Sequence, residues 1–246
     1  IYGLPFQTVD SFEKTIDEVL TLSPDRFSIF SYAHVPWIKP AQKILQQKIL
    51  PTPEVKLQLL KLTIEKLTSS GYVYIGMDHF AKETDELTVA QRNKTLQRNF
   101  QGYSTRGQAD IYSFGMSSIS QADGVYWQNL KELDEYQTAI KNGDWPYHRG
   151  YVMTDEDQLR RTTIMRLMCD LELNYAHMSE LLELDFADKF GPDIESLEDM
   201  EADSLIERTD TGLTVTNLGR LLIRNIAMRF DGYARERKEA KFSKTI

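Results

Sequence analysis

The 246 residues carry 29 Lys and Arg against 37 Asp and Glu, a net charge of -8, with 41% hydrophobic and 11% aromatic side chains. That balance argues against a general nucleic-acid binder, which shows a basic patch, and no apolar run approaches the roughly 18 residues of a membrane span. Cys169 is the one cysteine, so neither a disulfide nor a Cys-based metal site can be built from this chain alone.

Ile1-Tyr2-Gly3-Leu4-Pro5 reads as the end of a buried strand running into a turn, since Pro5 cannot continue a ladder. A strand edge without preceding strands predicts the C-terminal portion of a larger protein. Nothing at the N-terminus has the charged-then-apolar pattern of a signal peptide, and the expectation is a soluble, intracellular protein. Asp10 or Ser11 opens an amphipathic helix to about Leu22, with Phe12, Ile16, Val19 and Leu20 on one face. Ser23-Pro24-Asp25 is a turn, and Arg26 to Tyr32 has the aromatic and β-branched content of a buried strand. Strand, helix and strand at this spacing suggest a βα unit of a parallel sheet or barrel.

Pro53 sits near the start of a long helix that Gly71 ends, and Tyr72 to Met77 is the next strand. The stretch from Asp78 to Tyr126 reads as irregular, and a helix follows over about Lys131 to Lys141. The pattern changes near Pro146 to Gly150. Beyond it come a helix from Asp155 to about Leu171, capped by Thr154, and shorter helices near Met178 to Leu182 and Ile194 to Ala202. A hairpin across Leu205 to Thr216 has Gly212 at its turn, and a last helix runs from Leu218 to about Phe230 before a charged tail. Three helices and a hairpin wing resemble a winged-helix module. A nucleic-acid role for it is disfavoured by Glu180, Glu183, Asp185 and Asp188, a poor face for phosphates.

The densest polar and aromatic cluster is Gly76-Met77-Asp78-His79-Phe80-Ala81, then Arg98 to Thr105, then Ser113 to Ser120. Glycines let backbone approach a ligand, and Gln, Asn, Arg and aromatic groups supply anchors and stacking surfaces. The competing reading is a set of turns whose polar groups satisfy one another. Asp78-His79 invites an acid/base or metal role, but His34, His148 and His177 show no ligand spacing to it, which favours structural hydrogen bonding. His34 follows a strand where a barrel presents its site. Cys169 among Met165, Leu167, Met168 and Leu171 reads as a core residue, and Arg160-Arg161 as a solvated face.

Ile1 to Pro5, Tyr32-Ala33-His34-Val35-Pro36, Gly76 to Ala81, Arg98-Asn99-Phe100-Gln101-Gly102-Tyr103 and Leu221 to Ile226 together resemble the oxygen-independent coproporphyrinogen III oxidases, radical S-adenosylmethionine (SAM) enzymes of haem biosynthesis. The resemblance covers essentially the whole chain. It implies an α/β fold, with the C-terminal part of a partial parallel (β/α) barrel over 1–149 and a small, mostly helical, winged-helix-like domain over 150–246. It also implies a cytoplasmic enzyme, monomeric when full length, that binds neither nucleic acid nor membrane. The family converts two propionates of coproporphyrinogen III to vinyls, giving protoporphyrinogen IX. A [4Fe-4S] cluster, fed by an electron donor, cleaves SAM reductively, and a terminal electron acceptor takes one electron afterwards.

The family's CxxxCxxC motif, its glycine-rich SAM segment and the acidic residue two positions before the Ile-Tyr-Gly-Leu-Pro run have no counterpart in this sequence. Catalytic residues are therefore left unassigned, and this chain alone is expected to be inactive. Carried over by position, Ala33 and Ile119 match SAM contacts and Gln101 matches a pocket residue. A sister branch of haem chaperones usually has a Glu-Ile-Ser-like run where this chain has Gly76-Met77-Asp78-His79, which favours the oxidases.

Overall fold

Thr8 opens the first helix, α1 (Val9–Thr21), by accepting from the Ser11 N–H while Ser11 Oγ accepts from the Thr8 N–H. Two donors that a helix start leaves unpaired are thereby satisfied. Phe12 and Ile16, one turn apart, are its buried residues. In this computed structural model, which describes residues 1–45, 49–107 and 109–236 (side chains to 234), α1 connects Tyr2 to Ser31 as a parallel bridge. The Tyr2 N–H donates to the Phe30 carbonyl at 2.9 Å and the Tyr32 N–H to the Tyr2 carbonyl at 2.8 Å. The expected strand–helix–strand unit is present only as this bridge, because the strand expected over Arg26 to Tyr32 is regular over Arg26–Ser28 alone, with Arg26 and Ser28 exposed. The charged tail beyond Glu236 lies outside the described residues.

β1 (Arg26–Ser28) is followed by a 3-10 turn at Pro40–Ile44 and then by α2 (Pro53–Ser69), where Pro53 follows the cap Thr52 and needs no N–H partner. β2 (Tyr72–Gly76) comes next, but β3 (His79–Lys82) folds back antiparallel and inserts between β1 and β2. The stretch 78–126 is not irregular. Besides β3 it contains α3 (Glu86–Arg92), the hairpin of β4 (Gln97–Asn99) and β5 (Gly102–Ser104), β6 (Ile119–Ala122) and the start of β7 (Val125–Asn129). Strands of three or four residues are too short to show a period, so the sequence pattern hides them.

α4 (Leu133–Asn142) precedes β8 (Tyr147–Val152), which pairs with β7 as far as Val125↔Val152. A division at 149/150 therefore falls inside a strand, and the chain stays with this sheet to Val152. α5 (Asp155–Asp170) starts at Thr154 with a capping box to Asp157. β9 (Glu172–Asn174), α6 (Tyr175–Leu182), α7 (Phe186–Glu195) and α8 (Glu198–Ala202) follow. The wing is β10 (Ile206–Thr209) with β11 (Gly212–Val215), and β9 adds a third strand beside β11.

The single helix expected over 218–230 is broken into a 3-10 turn at Gly219–Leu222, α9 (Ile223–Ala227), a second 3-10 turn at Met228–Phe230, and then α10 (Gly232–Glu236). Its start is pressed onto the wing: a Cβ on Gly219 would stand 1.9 Å from the Leu205 carbonyl oxygen. Only glycine permits that approach.

Three cores result. One lies under the first sheet, with Phe12, Ile16, Leu59, Leu67 and Phe80. The C-terminal module has its own, from Leu167 through Phe186 and Phe190 to Phe230. Between them, Ile75, Ala81, Leu87, Leu96 and Tyr103 surround Cys169 of α5, which is a buried core residue as expected. The joint is also polar: Arg166 donates to the carbonyls of Lys94 and Leu96, and Arg220 lies 5.0 Å over the Tyr74 ring and donates to the Tyr74 carbonyl. Arg160 is not on a solvated face. It pairs with Glu156 and with buried Asp193, and stands 5.5 Å over the Phe190 ring, because a buried carboxylate needs a cation beside it. No described helix is long and apolar enough to cross a membrane.

Candidate functional site

The end of β2 forms the floor of the first cluster. Gly76 has φ +155°, and a Cβ there would stand 2.5 Å from the Tyr103 hydroxyl oxygen. That space lets Tyr103 reach across and donate to the Met168 carbonyl of α5 at 3.3 Å. Around it the rings meet in sequence: Phe30 on His79 at 6.1 Å, His79 on Tyr103 at 5.4 Å, and the Arg98 guanidinium 5.7 Å over Tyr103. The Asp78 carbonyl accepts from the Ile29 N–H at 2.8 Å. Two of the three polar–aromatic segments singled out in the sequence, 76–81 and 98–105, are thereby brought together with the strand end at Phe30.

Burial dominates the electrostatics of this cluster. It lowers the His79 pKa, and Arg98 lowers it further. Burial raises the Asp78 carboxyl, with Arg224 and Arg98 opposing. The Tyr74 phenol is pushed up to about 12, again by burial first. His79 Nδ1 and Arg98 Nε are buried without a hydrogen-bond partner among the described residues. No group of three His, Cys, Asp or Glu among the described residues could hold a metal ion.

Ala33 is exposed just beyond the Tyr2–Ser31 bridge. Gln42 clamps its loop, accepting from the Val35 N–H at 2.6 Å and donating to the Ala33 carbonyl at 3.1 Å. His34, its neighbour, lies with its ring tilted 6.2 Å from that of Tyr32, and its Nδ1 is buried without a partner among the described residues.

Ile119 lies elsewhere, in β6, on the wall of an open groove of about 420 Å³. Phe100, Tyr126, Trp127, Gln128, Arg149, Gly150 and Tyr151 complete the lining. Register explains the grouping: Ile119 pairs with Gln128 and Gln128 with Arg149, so the three stand in one row on one face. Tyr126 and Tyr151 form the next row on that face, two residues along. Gln101 is exposed in the β4–β5 turn, its N–H donating to Asn99 Oδ1 at 2.9 Å. Phe100, the adjacent residue, carries that turn to the groove. Ala33 is not on the groove wall.

The resemblance singled out Ile119 and Gln101, and neither it nor the residue pattern singled out Tyr126, Arg149 and Tyr151, which line the same groove. Alternation in Val125-Tyr126-Trp127-Gln128 and in Arg149-Gly150-Tyr151 is the signal for them, legible only once β7 and β8 are paired. A groove with aromatic walls and one guanidinium suits a flat, largely apolar molecule that bears acidic groups.

A family model described as the HemN C-terminal domain matches residues 153–222. Over its whole length the chain is 47% identical to an oxygen-independent coproporphyrinogen III oxidase of Thermostichus vulcanus, 76% of which it covers. It is 45% identical to the protein of that name from Escherichia coli strain K12, covering 54% of it. A solved structure of the coproporphyrinogen III oxidase (HemN) from Escherichia coli, described as a radical SAM enzyme, superposes with a TM-score of 0.88 at 46% identity, over 94% of this chain and 54% of that one. The chain thus spans about half the length of the Escherichia coli relative and three quarters of the Thermostichus one.

Proposed function

The chain belongs to the oxygen-independent coproporphyrinogen III oxidase family, and from that premise we propose that it forms part of such an oxidase's SAM and tetrapyrrole site. The observation that carries this reading is the groove joining Ile119 to the aromatic walls of Phe100, Tyr126 and Tyr151. The reaction is oxidative decarboxylation of coproporphyrinogen III propionates to vinyls, in the cytoplasm, by a monomeric enzyme with an external electron donor and acceptor.

The residues present fit SAM in two places. Ala33 offers an exposed backbone position on a loop that Gln42 holds still, beside the unpartnered Nδ1 of His34. Ile119 offers an apolar wall, with Gln101 next to Phe100 at its margin. SAM, when bound, supplies the one-electron oxidising chemistry. Around it this chain binds, orients and excludes water: Gln42 positions Ala33, and the β6–β8 face shields the apolar body of the tetrapyrrole.

A [4Fe-4S] cluster does not fit these residues. It needs thiolates, and Cys169 is buried between the two units, its thiol pushed up to about 12 by burial. The cluster's ligands belong to the part of the oxidase outside these 246 residues.

The test replaces the matching half of the Escherichia coli oxidase with this chain and measures anaerobic protoporphyrinogen formation. Activity is expected, and Ala33→Trp is expected to abolish SAM binding at an unchanged melting temperature by filling the cofactor's volume. A chimera that folds and binds SAM yet leaves coproporphyrinogen untouched contradicts the reading.

A further inference from the structure

Some arginines in this molecule are committed to carboxylates and others are not, Arg98 and Arg220 lying over tyrosine rings instead. Arg26, Arg160, Arg166, Arg208 and Arg229 each pair with a carboxylate at 3.3 Å or less. Arg149 has no carboxylate partner among the described residues, although it stands on the wall of the aromatic groove. It is nevertheless oriented. Its Nε donates to Gln128 Oε1 at 3.0 Å, and Gln128 Nε2 donates to the Ser117 carbonyl at 3.0 Å. A guanidinium anchored through Nε keeps its two terminal nitrogens free as a fork, the geometry that takes a carboxylate through two parallel hydrogen bonds.

Resting on the functional reading above, we propose that Arg149 is the specificity-determining anchor for a propionate carboxylate of the tetrapyrrole, with Gln128 as its positioning residue. The row Ile119–Gln128–Arg149 crosses all three strands, so the anchor and the apolar wall share one face. Phe100, Tyr126 and Tyr151 flank it with ring surface of the size and flatness that pyrrole units require. A macrocycle lying on Phe100, Tyr126 and Tyr151, beside a SAM held at Ile119, places a propionate at its rim, within reach of the fork. The same fork accepts any carboxylate, the amino-acid end of SAM included. The breadth of the aromatic wall favours the tetrapyrrole.

The test uses the 246-residue chain and coproporphyrin III, the oxidised and stable four-propionate macrocycle, with its tetramethyl ester as the uncharged counterpart. Affinity is read by equilibrium dialysis, and folding by the melting temperature. Arg149→Ala is expected to weaken coproporphyrin binding by roughly tenfold or more, the scale of a charged hydrogen-bonded pair, and to leave ester binding unchanged. Arg149→Lys recovers part of the loss, because an ammonium keeps the charge but not the fork. Gln128→Leu gives a smaller loss, and added to Arg149→Ala it causes no further loss, as expected of a residue acting through another. In the chimeric oxidase, Arg149→Ala leaves SAM affinity unchanged.

Equal coproporphyrin affinity for Arg149→Ala and the unmodified chain overturns this assignment and leaves the family-level reading standing. So does an ester loss as large as the acid's, or a loss confined to SAM. An unmodified chain that takes up no coproporphyrin overturns the groove as a tetrapyrrole site altogether.

Discussion

In the C-terminal module, Phe186, Phe190 and Phe230 are fully buried and packed in series, with ring centroids 4.8 and 6.1 Å apart. In the β6–β8 sheet with α4, Trp145, Tyr147 and Val152 stand 79%, 49% and 71% exposed, and α4 buries no residue. The two regions use similar side chains for opposite ends. The module is held by apolar burial, which stabilises by roughly 25 cal/mol per Å². The sheet is held mainly by ladder hydrogen bonds, and its aromatic groups stay available on both faces. A binding surface drawn from the less stable part of a structure is a common arrangement. On the functional reading proposed above, the core supports and the open sheet receives.

That contrast is broken most directly by truncating one aromatic group in each region. Phe190→Ala should cost about 3–5 kcal/mol, since it empties a filled core between two rings and under Arg160. Trp145→Ala should stay within about 0.5 kcal/mol. Urea unfolding of both variants decides it, and equal costs would erase the distinction.

The joint between the regions comes next. Arg166→Ala leaves Asp170 unpaired and the Lys94 and Leu96 carbonyls without their donor, a loss of about 3 kcal/mol for a pair this buried. Cys169, beside it, reports the opening. Its thiol is expected to resist alkylation at pH 8 in the unmodified chain and to react much faster in the variant. Equal rates would show that Arg166 does not hold α5 in place.

A smaller effect tests the seam where β8 enters α5. The Tyr151 hydroxyl and the Thr154 N–H hydrogen-bond Asp157, and together they hold its carboxyl at about 2, below the ordinary value of 3.8. A folded-state pKa that is depressed stabilises above the unfolded value, and that contribution disappears as pH falls from about 4 towards 2. Asp157→Asn should therefore melt below the unmodified chain at pH 6, and the gap should narrow at pH 2.5. A gap independent of pH would assign the effect to packing.

Local chemistry made much of this molecule legible. Thr154 before an acidic first turn, Pro53 after a threonine, and the Ile1–Tyr32 strand–helix–strand spacing each depend on residues a few positions apart. β3 between β1 and β2, and β8 carrying the chain across the expected division at 149/150, depend on pairings between distant segments, which no local window contains. The same limit hid Arg149: Ile119, Gln128 and Arg149 become neighbours only when three strands are aligned. Ala33, Gln101 and Ile119 came from resemblance. Of these, Ile119 stands on the groove wall and Gln101 beside a residue that does, while Ala33 stands on a separate loop.

On the proposed function, the β6–β8 face is a ligand wall rather than an exposed piece of scaffold. Ile119→Asp in the chimeric oxidase tests that most directly, because it sets a carboxylate against whatever covers the wall. SAM affinity should fall by roughly tenfold or more at an unchanged melting temperature. Unaltered SAM affinity with a lowered melting temperature would make Ile119 a packing residue and contradict the site.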